Sequence, residues 1–368
     1  MFDRRLVEYF DWGLLGLTIT LGSLGIVVLY SAIYAGVDDP FKALCGKQLI
    51  WFCIGLTVMV ISFLVNYKEL DQWGLLIYFF SLLLLVGVLF FGKYVAGSRR
   101  WLIVGPITIQ PSEIVKITVI IVLSSYYSKH ANIKGLTFKE LVTPAILVFI
   151  PFLLVVRQPD LGTSLLIVLI AASITMFVKI ERRTLIYIIG ACTTTLPLVW
   201  WFFLKGYQKL RILTFLNPDR DPLGAGYHII QSKIAIGSGM IIGKGFLKGT
   251  QNALSFLPEQ HTDFILSVLA EEWGFAGTGL ILLIYLLLII WGLNIAHGCR
   301  DSFGTILSVG VTAMIFWQVF INVGMIMGLM PVVGVPLPLI SYGGSSVVTV
   351  MIGIGILMNV SMRRFLVE

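Results

Sequence analysis

NPDRDPLGAGYHIIQSKIAIGSGMIIGKGFLKGTQNALSFLPEQHTD, residues 217–263, is polar, glycine-rich and basic in a chain otherwise built from long apolar runs. Its reading decides the fold: it is a loop held between helices that cross a membrane. The whole chain is 58% hydrophobic and only 12% charged, about half the charge of an ordinary soluble domain. Runs long enough to span a bilayer lie at 13–34, 48–66, 74–92, 111–127, 141–157, 163–179, 185–204, 266–291, 304–328 and 346–363. The expected fold is therefore an all-α polytopic membrane protein of about ten transmembrane helices. It forms one domain over 1–368, with one long structured extracytoplasmic loop, about 205–265, between helices 7 and 8. Loops of that length between packed elements usually carry function. Glu271 and Glu272 blur the start of the eighth span: either it begins near Gly274, or two carboxylates enter the membrane edge.

An even number of spans puts both termini on one side. Arg4, Arg5, Lys68, Lys129, Lys134, Lys139, Lys179, Arg182, Arg183, Arg300, Arg363 and Arg364 occupy short loops or tails, where basic residues mark the cytoplasm. The first apolar run is too long for a cleaved signal and reads as an uncleaved span. Arg99, Arg100 and Arg157 then lie outside, against the rule, while the long loop translocates whatever its charge. Either these cations await a polyanionic ligand, or they pair with Asp160, Asp219, Asp221 or lipid phosphate. The net charge of +7 fits topology signals and anionic lipid. No aromatic–basic interleaving suggests nucleic acid. Cys45, Cys53, Cys192 and Cys299 form no CxxC pair and read as small apolar fillers.

Four features carry chemistry. Glu113 and Lys116 share one face at the start of a span, and ionisable groups there are costly. They line a polar cavity, positioning substrate or carrying protons, or they form a self-satisfied ion pair that fixes helix packing. Asp160, in RQPDLGTS, is a carboxylate at the cavity, or it caps the following helix or pairs with Arg157. Asp263 stands at the outer rim with Glu259 and His261 nearby; the alternative is an N-cap for the eighth helix. GSGMIIGKGFLKG fails the nucleotide-loop pattern, because Ser238 and Gly245 occupy required positions. Its N–H groups remain a weak candidate cradle for a diphosphate. The uncharged, proline-broken segment 331–344 is a wall or a packed re-entrant turn.

Together GSRRW (97–101), IQPSEIVK (109–116), RQPDLGTS (157–164), FLPEQHTDFI (256–265), LAEEWG (269–274) and GLMPVVGVPLPLISYGGSS (328–346) resemble the SEDS family (shape, elongation, division and sporulation). The last of these is closer to its RodA-type branch than to the division branch. The resemblance implies a peptidoglycan glycosyltransferase of the bacterial cytoplasmic (inner) membrane, serving cell elongation and rod shape. It would polymerise lipid II into linear β-1,4 glycan on the outer face, with undecaprenyl pyrophosphate as leaving group. It implies a class B penicillin-binding protein (a transpeptidase) and the elongation machinery as partners, beside lipid II, the growing strand and membrane lipid. By position Asp263 matches the family's essential aspartate, Glu113 and Lys116 its intramembrane pair, and Asp160 its acidic turn. Asp263 is the expected general base. Arg99, Arg100, Arg211, Lys233, Lys244, His261 and Ser341 join Glu113, Lys116 and Asp160 as expected substrate-binding or cavity-lining residues. A divalent cation (Mg or Mn) is a possible cofactor for the leaving diphosphate. The competing expectation is a lipid II flippase working through the Glu113–Lys116 pair.

Overall fold

The computed structural model describes residues 9–34, 43–95, 98–105, 107–130, 135–203, 206–217, 224–254, 256 and 259–363. Arg4, Arg5, Lys134, Arg364, Asp219 and Asp221, weighed above for topology and charge pairing, lie outside them. Among the described residues ten long helices follow the apolar runs: α1 (Trp12–Tyr34), α2 (Ala43–Leu64), α3 (Tyr67–Phe91), α4 (Pro111–His130), α5 (Phe138–Arg157), α6 (Leu161–Phe177), α7 (Arg182–Leu198), α11 (Ile265–Gly298), α12 (Ser302–Ile326) and α13 (Gly344–Arg363). Among the described residues eight helices are long and apolar enough to cross a membrane, α7 being counted with the turn that follows it as Arg182–Phe202. The other two are α4, which carries Glu113 and Lys116, and α6, which has 17 residues.

The loop between α7 and α11 is itself folded. It contains α8 (Gly206–Leu216), α9 (Ala225–Ser238) and the single turn α10 (Thr250–Ala253). Between α3 and α4 the chain forms a small antiparallel sheet, β1 (Lys93–Val95), β2 (Ser98–Val104) and β3 (Ile107–Ile109), with Leu102 opposite Ile109. Arg99 and Arg100 therefore sit on a strand.

Helices α12 and α13 form the buried centre, while α7 is peripheral and largely exposed. Gly55 lets α2 approach Met351 of α13. One end of the bundle is tied across the chain. Asn359 Nδ2 donates to the Ser62 and Phe63 carbonyls, capping α2, and Asn359 Oδ1 accepts from Tyr67 N. Asp11 accepts from Ser361 Oγ and Trp291 Nε1, so the first and last described helices meet at that end.

The ambiguity at Glu271 and Glu272 resolves into a broken helix. α11 starts at Ile265 and breaks at Gly274 (φ +66°, ψ −162°), a conformation essentially restricted to glycine. Both carboxylates lie before the break and are buried in protein. Glu271 accepts from Lys244 Nζ at 2.6 Å and Thr250 N at 2.8 Å. Glu272 accepts from Ser31 Oγ at 2.5 and 2.6 Å.

Candidate active site

Three segments meet at the end of the bundle that carries the folded loop. The first is the turn 259–263 that leads into α11. The second is the irregular stretch 327–343 between α12 and α13. The third is the α5–α6 turn with β2 beside it. Irregular backbone at this depth must be satisfied by protein, and it is. Ser341 Oγ accepts from Leu337 N and donates to Thr262 O at 2.6 Å. Tyr342 N donates to His261 O, and Tyr285 OH donates to Pro338 O. Asn322 Nδ2 donates both to Asp263 O (2.9 Å) and to Val335 O (2.8 Å), pinning the first two segments to α12.

Asp263 emerges from this clamp with its carboxylate uncommitted. Phe264, not Asp263, occupies the N-cap of α11, without a side-chain cap bond. Among the described residues no group donates a hydrogen bond to the Asp263 carboxylate. Gly334 (φ +74°) leaves room for it, since a Cβ there would lie 3.2 Å from Asp263 Oδ2. Burial, then the nearby negative charges of Glu259 and Asp160, push the Asp263 carboxyl up from about 3.8 to about 6, against the pull of Arg211 and Arg100. Ionised carboxyls lose hydration when recessed, so their protonated form gains.

The neighbours are fixed in place. Asp160 caps α6 through Thr163 N and accepts from Gln110 Nε2 at 3.0 Å and Thr163 Oγ1 at 3.0 Å. Its ionic partner is Arg100 at 3.8 Å. It does not pair with Arg157. Arg100 also donates to the Gln158 and Pro159 carbonyls. Arg211 Nη1 donates to Val332 O at 3.1 Å. The Lys233 side chain lies over Gly328, where a Cβ would come 2.7 Å from Nζ. Arg99 is exposed on β2 and makes no ion pair among the described residues.

Other expected residues stand apart from this mouth. Lys116 Nζ donates to both Glu113 oxygens (2.9 and 2.8 Å), with Lys116 fully buried and Glu113 4% exposed. The pair lies one turn below Gln110 and Ser112, the residues that bind Asp160. Lys244 is committed to Glu271, and the Ser341 hydroxyl is spent between Leu337 and Thr262. The loop N–H groups of Lys244 and Gly245 donate to Glu271 O and Glu272 O, so these two cannot cradle a phosphate. Among the described residues no three His, Cys, Asp or Glu side chains gather as metal ligands. Sequence reasoning passed over Asn322 and Gln110. Their signal was an amide in or beside an apolar span, where unpaired polar groups are expensive.

A buried carboxyl without a hydrogen-bond donor among the described residues, with Arg100 and Arg211 nearby, at one end of a polytopic helical bundle, is the candidate acid–base site of a membrane-embedded enzyme. Residues 12–365 match the family profile described as "Cell cycle protein" (FtsW, RodA, SpoVE). The chain belongs to that family. It is 39% identical to the peptidoglycan glycosyltransferase MrdB of Escherichia coli K12, over 94% of this chain and 93% of that one. It is 32% identical to the peptidoglycan glycosyltransferase RodA of Treponema pallidum, over 98% and 99%. Among solved structures, a chain of a peptidoglycan synthase complex that coordinates polymerization and crosslinking superposes with TM-score 0.83 at 30% identity, covering 97% of this chain and 99% of that one. Thermus thermophilus RodA does so at 0.71 and 28%, covering 97% and 98%.

Proposed function

We infer that this chain is a peptidoglycan glycosyltransferase that polymerises lipid II into β-1,4-linked glycan for cell elongation, with Asp263 as general base. The observation that carries this reading is the Asp263 carboxylate itself. It is clamped through its backbone, free of hydrogen-bond donors among the described residues, and pushed up to about 6. A base of that strength is ionised at neutral pH yet able to hold a proton in the transition state.

The sugar hydroxyl of the acceptor loses its proton to Asp263 as its oxygen bonds the anomeric carbon of the donor. The bond from that carbon to the undecaprenyl pyrophosphate oxygen breaks, and the electron pair leaves with the diphosphate. One displacement inverts the centre, from α-linked donor to β-linked product. Pyrophosphate is a good leaving group, so fixed cations replace the second acid that glycoside hydrolases need. Arg100, Arg211 and Lys233 stand where they can supply that charge. When bound, a magnesium or manganese ion would be held by Asp263 and would supply positive charge for the leaving diphosphate. The site faces the outside, with both termini cytoplasmic, on the distribution of Lys and Arg among short loops. The chain works with a class B penicillin-binding protein that crosslinks its product, in line with the synthase complex its fold resembles.

The test is glycan polymerisation from lipid II in detergent, by the purified chain with its partner transpeptidase, for the native protein and Asp263→Ala. Long glycan from the native protein and none from a well-folded variant supports the reading. Equal glycan from both removes Asp263 from the chemistry. None from either, with or without divalent cation, returns attention to lipid movement and to the Glu113–Lys116 pair.

A further inference from the structure

The glycine-rich loop that fails as a nucleotide motif has another geometry. Its main chain is spliced into the break in α11. In an unbroken helix the carbonyls of Glu271 and Glu272 would accept from the N–H groups of Phe275 and Ala276. Here Lys244 N donates to Glu271 O and Gly245 N to Glu272 O, while Phe275 N donates to Met240 O and Ala276 N to Ile241 O. All four groups orphaned by Gly274 are satisfied by residues 240–245. The glycines permit the contact: a Cβ on Gly239 would lie 1.9 Å from Ala270 O, and one on Gly243 2.1 Å from Glu272 O.

This splice holds three large apolar side chains outward. Met240 is 80% exposed, Ile241 70% and Ile242 83%, beside Phe275 at 76%. Met240 keeps a left-handed backbone (φ +46°) in doing so, a cost that surrounding structure must offset. Their depth is not free. Met240 and Ile241 are bonded to the first two residues after the break of a membrane-spanning helix. The exposed apolar surface of that span, through Leu280, Leu283 and Leu286, continues onto the loop. Lys248 follows in sequence, exposed and without an ion pair among the described residues.

We propose that Met240, Ile241, Ile242 and Phe275 form a wedge inserted into the lipid leaflet at the Asp263 end of the bundle, with Lys248 directed at lipid phosphate. The occupant is phospholipid: the patch continues the exposed apolar surface of α11, and an exposed cation follows it in sequence, as in other interfacial anchors. Resting on the reading above, the wedge has a task. The stub Ile265–Trp273, which starts two residues after Asp263, hangs from the splice. Glu271 and Glu272 bind it further to Thr250, Lys244 and Ser31. The leaflet thus sets the height at which the carboxylate meets the diphosphate of a membrane-held substrate.

The test measures depth and does not use catalysis, so its failure is separate from failure of the enzymatic reading. In the full chain with Cys45, Cys53, Cys192 and Cys299 replaced, a nitroxide is attached at Ile242→Cys, Phe275→Cys, Leu283→Cys or Lys248→Cys. The labelled protein is placed in phospholipid nanodiscs, and collision rates with oxygen and with a water-soluble nickel complex are compared. The expected result is an oxygen-to-nickel ratio at 242 and 275 several-fold above that at 248 and below that at 283, which lies about 12 Å further along the span. A ratio at 242 and 275 equal to that at 248 overturns the proposal, because the patch then faces water. Low collision with both reagents at 242 and 275 also overturns it, because protein then covers the patch. The label at 275 gives an independent reading if substitution at 242 disturbs the loop.

Discussion

Asp263→Asn should make the protein more stable and inactive at once. Isosteric replacement keeps the backbone clamp from Asn322 and the fit against Gly334; only the charge goes. The folded carboxyl sits near pH 6 against an ordinary value of 3.8, a displacement of about 2 pH units, or about 3 kcal/mol at 1.36 kcal/mol per unit. The group keeps partial access to solvent, so on the order of 1–2 kcal/mol is the expected gain. The sign follows from linkage. A raised carboxyl binds its proton more tightly in the folded state, so native stability is lost as pH rises from about 4 to about 6 and stays lost above. Asn carries no such penalty. The difference between variant and native protein should be near zero below about pH 4, grow through that window and plateau above pH 6. Thermal unfolding across a pH series, paired with lipid II polymerisation at pH 7.5, reads both halves. A variant less stable than the native protein at pH 7.5 would show that the carboxylate is held by favourable contacts, and the argument for a poised base would fail. Wild-type glycan synthesis by the variant would also refute it.

The same electrostatics predict the effect of Arg211→Gln. Arg211 holds the Asp263 carboxyl down, so its loss should move the acid limb of the kcat/KM profile upward from about 6; an unmoved limb would detach the limb from Asp263. Gly334→Ala places a Cβ in a left-handed site (φ +74°) against Asp263 Oδ2. It should cost about 1–2 kcal/mol of stability but reduce kcat by a larger factor, and proportional losses in melting and turnover would contradict this. Lys116→Ala strands a buried Glu113 and should cost about 3–5 kcal/mol. The double variant Glu113→Gln with Lys116→Met should recover most of that in thermal melts. If polymerisation returns with stability, the pair is a packing device; if the stable double variant stays inactive, the charges serve the reaction.

The spans were legible because lipid penalises every charge and unpaired amide, so ten apolar runs could only be ten helices. Asp263 stood out in the sequence as an acid at the end of a long polar loop, though its position alone left the N-cap reading equally open. The sequence could not show that its carboxylate escapes the cap role, since Asp before an apolar run looks like an N-cap in any chain. The break at Gly274 was half visible: two glutamates inside a span signalled trouble. Its remedy is a main-chain splice from a loop some thirty residues earlier, which leaves no periodicity to read. The strands β1 and β3 before α4 were hidden for the same reason, being three residues each and too brief to alternate. Asn322 could have been found by asking why an amide lies in the apolar run 304–328. Its answer, a single nitrogen serving the carbonyls of Asp263 and Val335, needed the coordinates of two distant loops.

The way the cations are held bears on what they can do. Arg211 is oriented by a neutral carbonyl, that of Val332. Arg100 is oriented chiefly by the carbonyls of Gln158 and Pro159, with Asp160 farther off at 3.8 Å. A carbonyl fixes a guanidinium without cancelling its charge, whereas a close carboxylate would do both. Lys244 illustrates the contrast: its 2.6 Å contact with Glu271 ties the loop down and leaves little field for a ligand. The loop therefore divides its basic residues between those that build and those whose charge stays available. Asp263 obeys the complementary rule. Its backbone is clamped and, among the described residues, its carboxylate has no donor, so that in the proposed reaction its affinity for a proton is kept for the reacting hydroxyl. Adding a donor to that carboxylate would steady it in the resting protein and weaken it as a base. On the proposed reaction, the donor-free carboxylate and the carbonyl-held arginines are two parts of one arrangement: charge held ready for a substrate that brings both a proton to remove and a diphosphate to stabilise.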